Sequence, residues 1–133
     1  MTKRMLMIPA LLGALLAGCA TTDAEQQSTA KDDCFYIRTV NNWSAIDDEH
    51  IYIEAAGKDQ YLLTMKFRCN GIRFTNAIAL SNRMGRVCPN DFGRITYRDG
   101  GMSASCRIDD VERVTSKEEA TALVESRKSE QEQ

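Results

Sequence analysis

Asp47-Asp48-Glu49-His50 is the densest run of proton-transfer and metal-ligating groups in this 133-residue chain. Three carboxylates beside an imidazole could take up a divalent cation and assist a hydrolysis. Consecutive residues of a strand point to opposite faces, however, so such a run converges only if a loop turns it back on itself. The favoured reading is a solvated turn ahead of the Ile51 segment, with no metal ligand assigned. The metal-assisted hydrolase built on these four residues is the alternative. His50 is the only histidine, so any histidine general base must be His50. Ser44, Ser81, Ser103 and Ser105 all lack the strand-turn-helix context of an activated serine. Asp109-Asp110 reads as a polar turn rather than a glycosidase acid pair. No residue is assigned as catalytic, no cofactor is called for, and a non-enzymatic role is preferred.

The second chemical feature is cationic. From Lys66 to Arg98 the chain holds Lys66, Arg68, Arg73, Arg83, Arg86, Arg94 and Arg98, with Asp91 as the one acid. Arginine suits bidentate contact with phosphate or carboxylate. Arg68, Arg73, Arg83 and Arg86 are the candidate anion-binding residues, with lipopolysaccharide phosphates or peptidoglycan carboxylates as available partners. The competing reading is a set of outward strand residues balanced by acids elsewhere in the fold.

Cysteine is the third. The chain has Cys19, Cys34, Cys69, Cys88 and Cys106 and no C-x-x-C pair, so zinc-ribbon and thioredoxin readings have no support. Cys19 belongs to the N-terminus. Thr2-Lys3-Arg4 is a positive start, Met5 to Leu16 an apolar run, and Leu16-Ala17-Gly18-Cys19 resembles a bacterial lipobox. Twelve residues are too few for a bilayer core, which needs roughly 20. Residues 1–18 therefore read as a cleaved lipoprotein signal, and Cys19 as the lipidated first residue of the mature chain. Ala20, in place of Asp, implies the outer membrane, with the domain facing the periplasm. Two or more acyl chains anchor stably, at about 0.8 kcal/mol per buried CH₂.

Four cysteines then remain for two disulfides in an oxidising compartment. Three pairings are possible and the sequence does not choose among them. Cys69–Cys88 with Cys34–Cys106 is preferred, because it closes the basic segment and joins the domain's ends. By loop entropy the two contribute roughly 3 and 4 kcal/mol. Loss of Lys3 and Arg4 from the 17 basic residues leaves 15 against 19 acids, a net charge of −4. That sign excludes a general nucleic-acid binder.

These residues need elements to hold them. Residues 19–33 carry no large apolar side chain and read as a lipidated flexible tether. Residues 34–115 hold the core. Phe35–Val40 reads as a strand. Ile51–Ala55 and Tyr61–Phe67 flank Gly57-Lys58-Asp59 as one hairpin. Arg94–Arg98 and Ser103–Ile108 flank Asp99-Gly100-Gly101 as another. Ile72, Phe74, Ile78 and Leu80 alternate as in a strand. Trp43 is expected in the core. Residues 116–133 form a charged tail, where Ser116 with Glu119 fits a capping box for a helix over 117–128, and residues 129–133 are expected to be disordered.

The pattern Cys34-Phe35, Trp43, Ile46-Asp47-Asp48, Tyr61-Leu62, Cys69-Asn70-Gly71-Ile72-Arg73-Phe74, Cys88, Cys106-Arg107-Ile108 resembles a group of small proteobacterial lipoproteins, domain of unknown function 6491. The resemblance covers residues 34–114 and implies an envelope location. It carries no activity and so no catalytic residue. The expected fold is mainly β, a small antiparallel sheet or partly open barrel of five to six strands with two disulfides and a short C-terminal helix. The expected role is a non-enzymatic binding or structural module on the membrane, meeting an anionic envelope component or a protein partner.

Overall fold

The structure is a computed structural model and describes residues 33–133. The expected signal segment, Cys19 and all of the expected tether but Asp33 lie outside the described residues. The chain runs β1 (Phe35–Tyr36), β2 (Val40–Ala45), β3 (His50–Ala55), β4 (Gln60–Met65), β5 (Ile78–Ser81), β6 (Arg86–Val87), β7 (Arg94–Asp99), β8 (Met102–Val114) and α1 (Lys117–Gln131). Six strands form one antiparallel sheet in the order β2-β3-β4-β8-β7-β5, and β1 pairs with β6 in a separate two-stranded ribbon. The mainly β expectation holds.

Turn chemistry sets both hairpins. Gly100 and Gly101 have φ of 56° and 87°, and they link Asp99 directly to its partner Met102. Two successive positive φ values make the tight turn whose twist matches the strands it joins. Gly57, at φ 77°, lets Ala55 N–H close on the Asp59 carbonyl between β3 and β4.

The 13-residue β8 organises the sheet. Its first half pairs with β7 and its second half with β4, with a register shift where Thr64 faces Asp110 but Met65 faces Ile108. An extra residue on one strand bends and twists the pair, so the sheet curls into a half-barrel.

The curl creates two apolar layers. Ile51, Ile53, Tyr61, Leu63, Met65 and Val111 face inward, together with Phe35, Val87, Ile72 and Ile95. Tyr52 and Leu62, of opposite parity, face outward and meet Val114, Ala120 and Val124. Helix α1 thus covers the outer face of β3 and β4. A strand buried on both faces needs a continuous apolar run, which explains Ile51-Tyr52-Ile53 and Tyr61-Leu62-Leu63. Trp43 is half-buried and packs against the inner layer.

Four expectations are corrected. The Phe35–Val40 strand is two residues long, because Ile37–Thr39 forms a 3₁₀ turn. Ile72–Phe74 is also a 3₁₀ turn, so of that alternating series only Ile78 and Leu80 lie in a strand. Helix α1 runs to Gln131 rather than ending at 128, which removes most of the expected disordered tail. Tertiary contacts extend it: Arg127 bonds Glu112 and Lys128 bonds Asp47. Ser116 caps it as expected, accepting the Glu119 N–H at 3.0 Å, while the Glu119 carboxylate reaches back to Thr115.

The fourth is the disulfide pattern. The bonds are Cys34–Cys88 and Cys69–Cys106, not Cys34–Cys106 and Cys69–Cys88. Phe35 faces Val87 across the ribbon, so antiparallel register sets Cys34 opposite Cys88. Cys106 lies opposite Ile95 on the inner face, where Cys69 is buried in the loop after β4.

Candidate functional site

The acidic run and part of the basic run meet in one cleft. It measures about 540 Å³ and is lined by Asp47, Asp48, Glu49, His50, Thr64, Arg68, Arg73, Val124, Arg127, Lys128 and Gln131. The turn between β2 and β3, the loop after β4 and the last turns of α1 supply its walls. His50 and Thr64 are register partners of the same parity as Tyr52 and Leu62, so they face the side that α1 covers.

Asp47 ties the turn to the helix. Its Oδ1 accepts the backbone N–H groups of Glu49 (2.8 Å) and His50 (2.7 Å) and the His50 Nδ1–H (2.8 Å). Its Oδ2 lies 2.6 Å from Lys128 Nζ. An ionised carboxylate only accepts, so His50 carries its proton on Nδ1 and leaves Nε2 as the ring's remaining polar atom. Burial pushes the Asp47 carboxyl up. Lys128, the Glu49 N–H and His50 outweigh it and hold the group at about 2. The depressed value contributes stability above the unfolded pKa of 3.8, which is lost as pH falls toward 2. Asp47→Asn is therefore expected to lower unfolding free energy at pH 6 by about 1–2 kcal/mol, after discounting for solvent screening. In urea denaturation the gap to the parent should close between pH 4 and 2; a constant gap would refute the assignment.

Asp48 turns the other way. Its Oδ2 takes Arg68 at 2.8 Å and its Oδ1 takes Arg73 Nε at 2.9 Å. Arg68 above all, with Arg73, holds its carboxyl below the usual range against some burial. Asp48 is 13% exposed, whereas Arg68 and Arg73 are 67% and 50% exposed. The carboxylate is thus a fixed base carrying two guanidinium groups into solvent. Arg127 is similarly fixed by a bidentate pair of 2.7 Å bonds to Glu112.

This geometry does not support the metal-assisted hydrolase. Asp47 and Asp48 are turned to different cationic partners, so the run does not converge. Among the described residues no group of three His, Cys, Asp or Glu could hold a metal ion. No serine hydroxyl bonds His50 there, and its cross-strand register partner is Thr64. The expected turn is there but only partly solvated: Glu49 is exposed, whereas His50, which opens β3, is 12% exposed.

The four candidate arginines separate. Arg68 and Arg73 share Asp48 in the cleft. Arg83 and Arg86 lie apart, before and within β6, and Arg83 lines a different cavity. Sequence reasoning missed Arg127 and Lys128, which read only as the end of a short helix in a charged tail. Arg127 and Lys128 follow Val124 at three and four residues' spacing on one helix face, and that spacing was the available signal.

A family model for a family of unknown function, DUF6491, matches residues 1–130. The chain belongs to the DUF6491 family. No curated protein and no solved structure matches it.

Proposed function

We propose that this DUF6491 chain is an outer-membrane lipoprotein, anchored through Cys19, whose domain is a non-enzymatic module binding an anionic envelope component in the Asp48 cleft. One observation carries the binding assignment: Arg68 and Arg73 are held on a single carboxylate that takes up only part of their N–H donors. Arg68 spends one of its five N–H donors on Asp48, and Arg73 spends only its Nε–H. The remaining donors face solvent from a preorganised base, an arrangement suited to phosphate or carboxylate. Formal charge alone does not make the case, because Asp47, Asp48 and Glu49 nearly balance the four basic residues of the cleft.

Titration calorimetry of the mature chain with purified lipopolysaccharide, and in parallel with muropeptides, tests the assignment. A charge-assisted hydrogen bond contributes about 1.5–3 kcal/mol, so Arg68→Ala/Arg73→Ala should weaken binding at least tenfold. Binding equal to the parent's, or none by the parent to either component, overturns it. Intact-mass analysis of the membrane-extracted chain reads the anchor separately, as an acyl mass on Cys19.

A further inference from the structure

Around the Cys34–Cys88 cystine the domain shows an apolar and cationic face that the cleft does not use. Met84 and Phe92 are 71% and 72% exposed. They flank a cavity of about 590 Å³, whose other walls are Asn82, Arg83, Asp91 and Arg107. The Arg107 guanidinium lies 4.8 Å from the Phe92 ring centroid, and Arg38 lies 5.6 Å from that of Tyr36, itself half exposed. Arg86 is the register partner of Tyr36 on the outer side of the ribbon. Arg38, Arg83, Arg86 and Arg107 pair with no carboxylate among the described residues. Asp91 is the one acid lining this cavity.

Two further observations select the occupant. Phe92 has φ 53°, a conformation that non-glycine residues rarely adopt, and it presents its ring to solvent there. The preceding segment, with its lipobox-like end at Cys19, enters the domain at Cys34, and the cystine joins that entry point to β6 beside Met84 and Arg86. The face nearest the tether root is the face that carries the apolar and arginine side chains.

We infer that this face docks on a bilayer bearing anionic headgroups, with Met84 and Phe92 entering the acyl boundary and Arg38, Arg83, Arg86 and Arg107 meeting phosphates. The inference rests on the proposed anchor for its reason to be at a membrane. It is independent of the Asp48 cleft.

Single tryptophans test it in a Trp43→Phe background of the full mature chain, reconstituted in brominated phosphatidylcholine vesicles with about one third phosphatidylglycerol. Phe92→Trp and Met84→Trp report the face. Met102→Trp is the control: it opens β8 opposite Asp99, the end of β7 that lies about 17 Å from Arg94 by strand rise. Quenching should be about threefold stronger at 92 and 84 than at 102, and lost with Arg83→Glu/Arg86→Glu or in molar salt. The unlipidated Cys19→Ser chain should show the same ordering at higher lipid concentration. Equal quenching at all three positions in both preparations overturns the docking. Flotation of the parent chain with the vesicles reports the anchor by itself, so the two ideas fail separately.

Discussion

Removing the Cys69–Cys106 bond by Cys69→Ala/Cys106→Ala is expected to lower the melting temperature by roughly 15–30 °C. The bond spans 37 residues of chain and the Cys34–Cys88 bond spans 54. Loop-closure entropy assigns each about 4 kcal/mol. A domain of this size is stable by about 5–15 kcal/mol, and each kcal/mol moves its midpoint by roughly 4–8 °C. Loss of one bond therefore takes a large share of the total, and loss of both should leave the chain unfolded at 37 °C. The bonds are interleaved along the chain, 34 to 88 and 69 to 106, so neither loop is free once the other has closed. Calorimetry with and without reductant reads the stability. Peptide mapping without reduction reads the pairing. Recovery of Cys34 linked to Cys106 would show that β1 does not zip onto β6.

The second large effect is expected at Leu62, fully buried on the outer face of β4 in the layer it shares with α1. Leu62→Ala should cost about 2–5 kcal/mol, the lost transfer of its side chain plus the cavity left behind. The effect should reach the cleft, because Val124 packs in the same layer and Arg127 and Lys128 lie on the turns beyond it. Chemical denaturation should show the lower midpoint, and anion binding should weaken even though Leu62 touches no ligand. Leu63→Ala, on the inner face of the same strand, is the comparison: a similar stability loss with little change in binding per folded molecule. Equal binding losses in both variants would separate the helix from the site.

Much of this fold was legible because it is local. Gly57-Lys58-Asp59 and Asp99-Gly100-Gly101 announce hairpins through backbone conformations that few residues accept. Ser116 announces a helix start through its hydroxyl and the Glu119 N–H. The apolar runs at 51–53 and 61–63 announce strands, and their unbroken character reports burial on both faces. Short segments with divided loyalties were misread. Phe35 and Ile72 carry strand-forming side chains, yet each is followed or enclosed by a 3₁₀ turn that tertiary packing imposes.

The site was half legible. Asp47 to His50 and Lys66 to Arg98 were visible as charged segments, but not that Asp48 would gather Arg68 and Arg73 from 20 and 25 residues away. Nor did composition separate those two arginines from Arg83 and Arg86.

Residue type and short-range spacing thus set the turns, the helix cap, the apolar periodicity and the count of cysteines, since each depends on interactions spanning a few residues. Pairing of those cysteines, the curl produced by β8, and the meeting of turn, loop and helix around Asp47 and Asp48 depend on which distant segments share a register. That choice is made by burying two opposed apolar faces at once, a condition on the whole chain that no local stretch encodes.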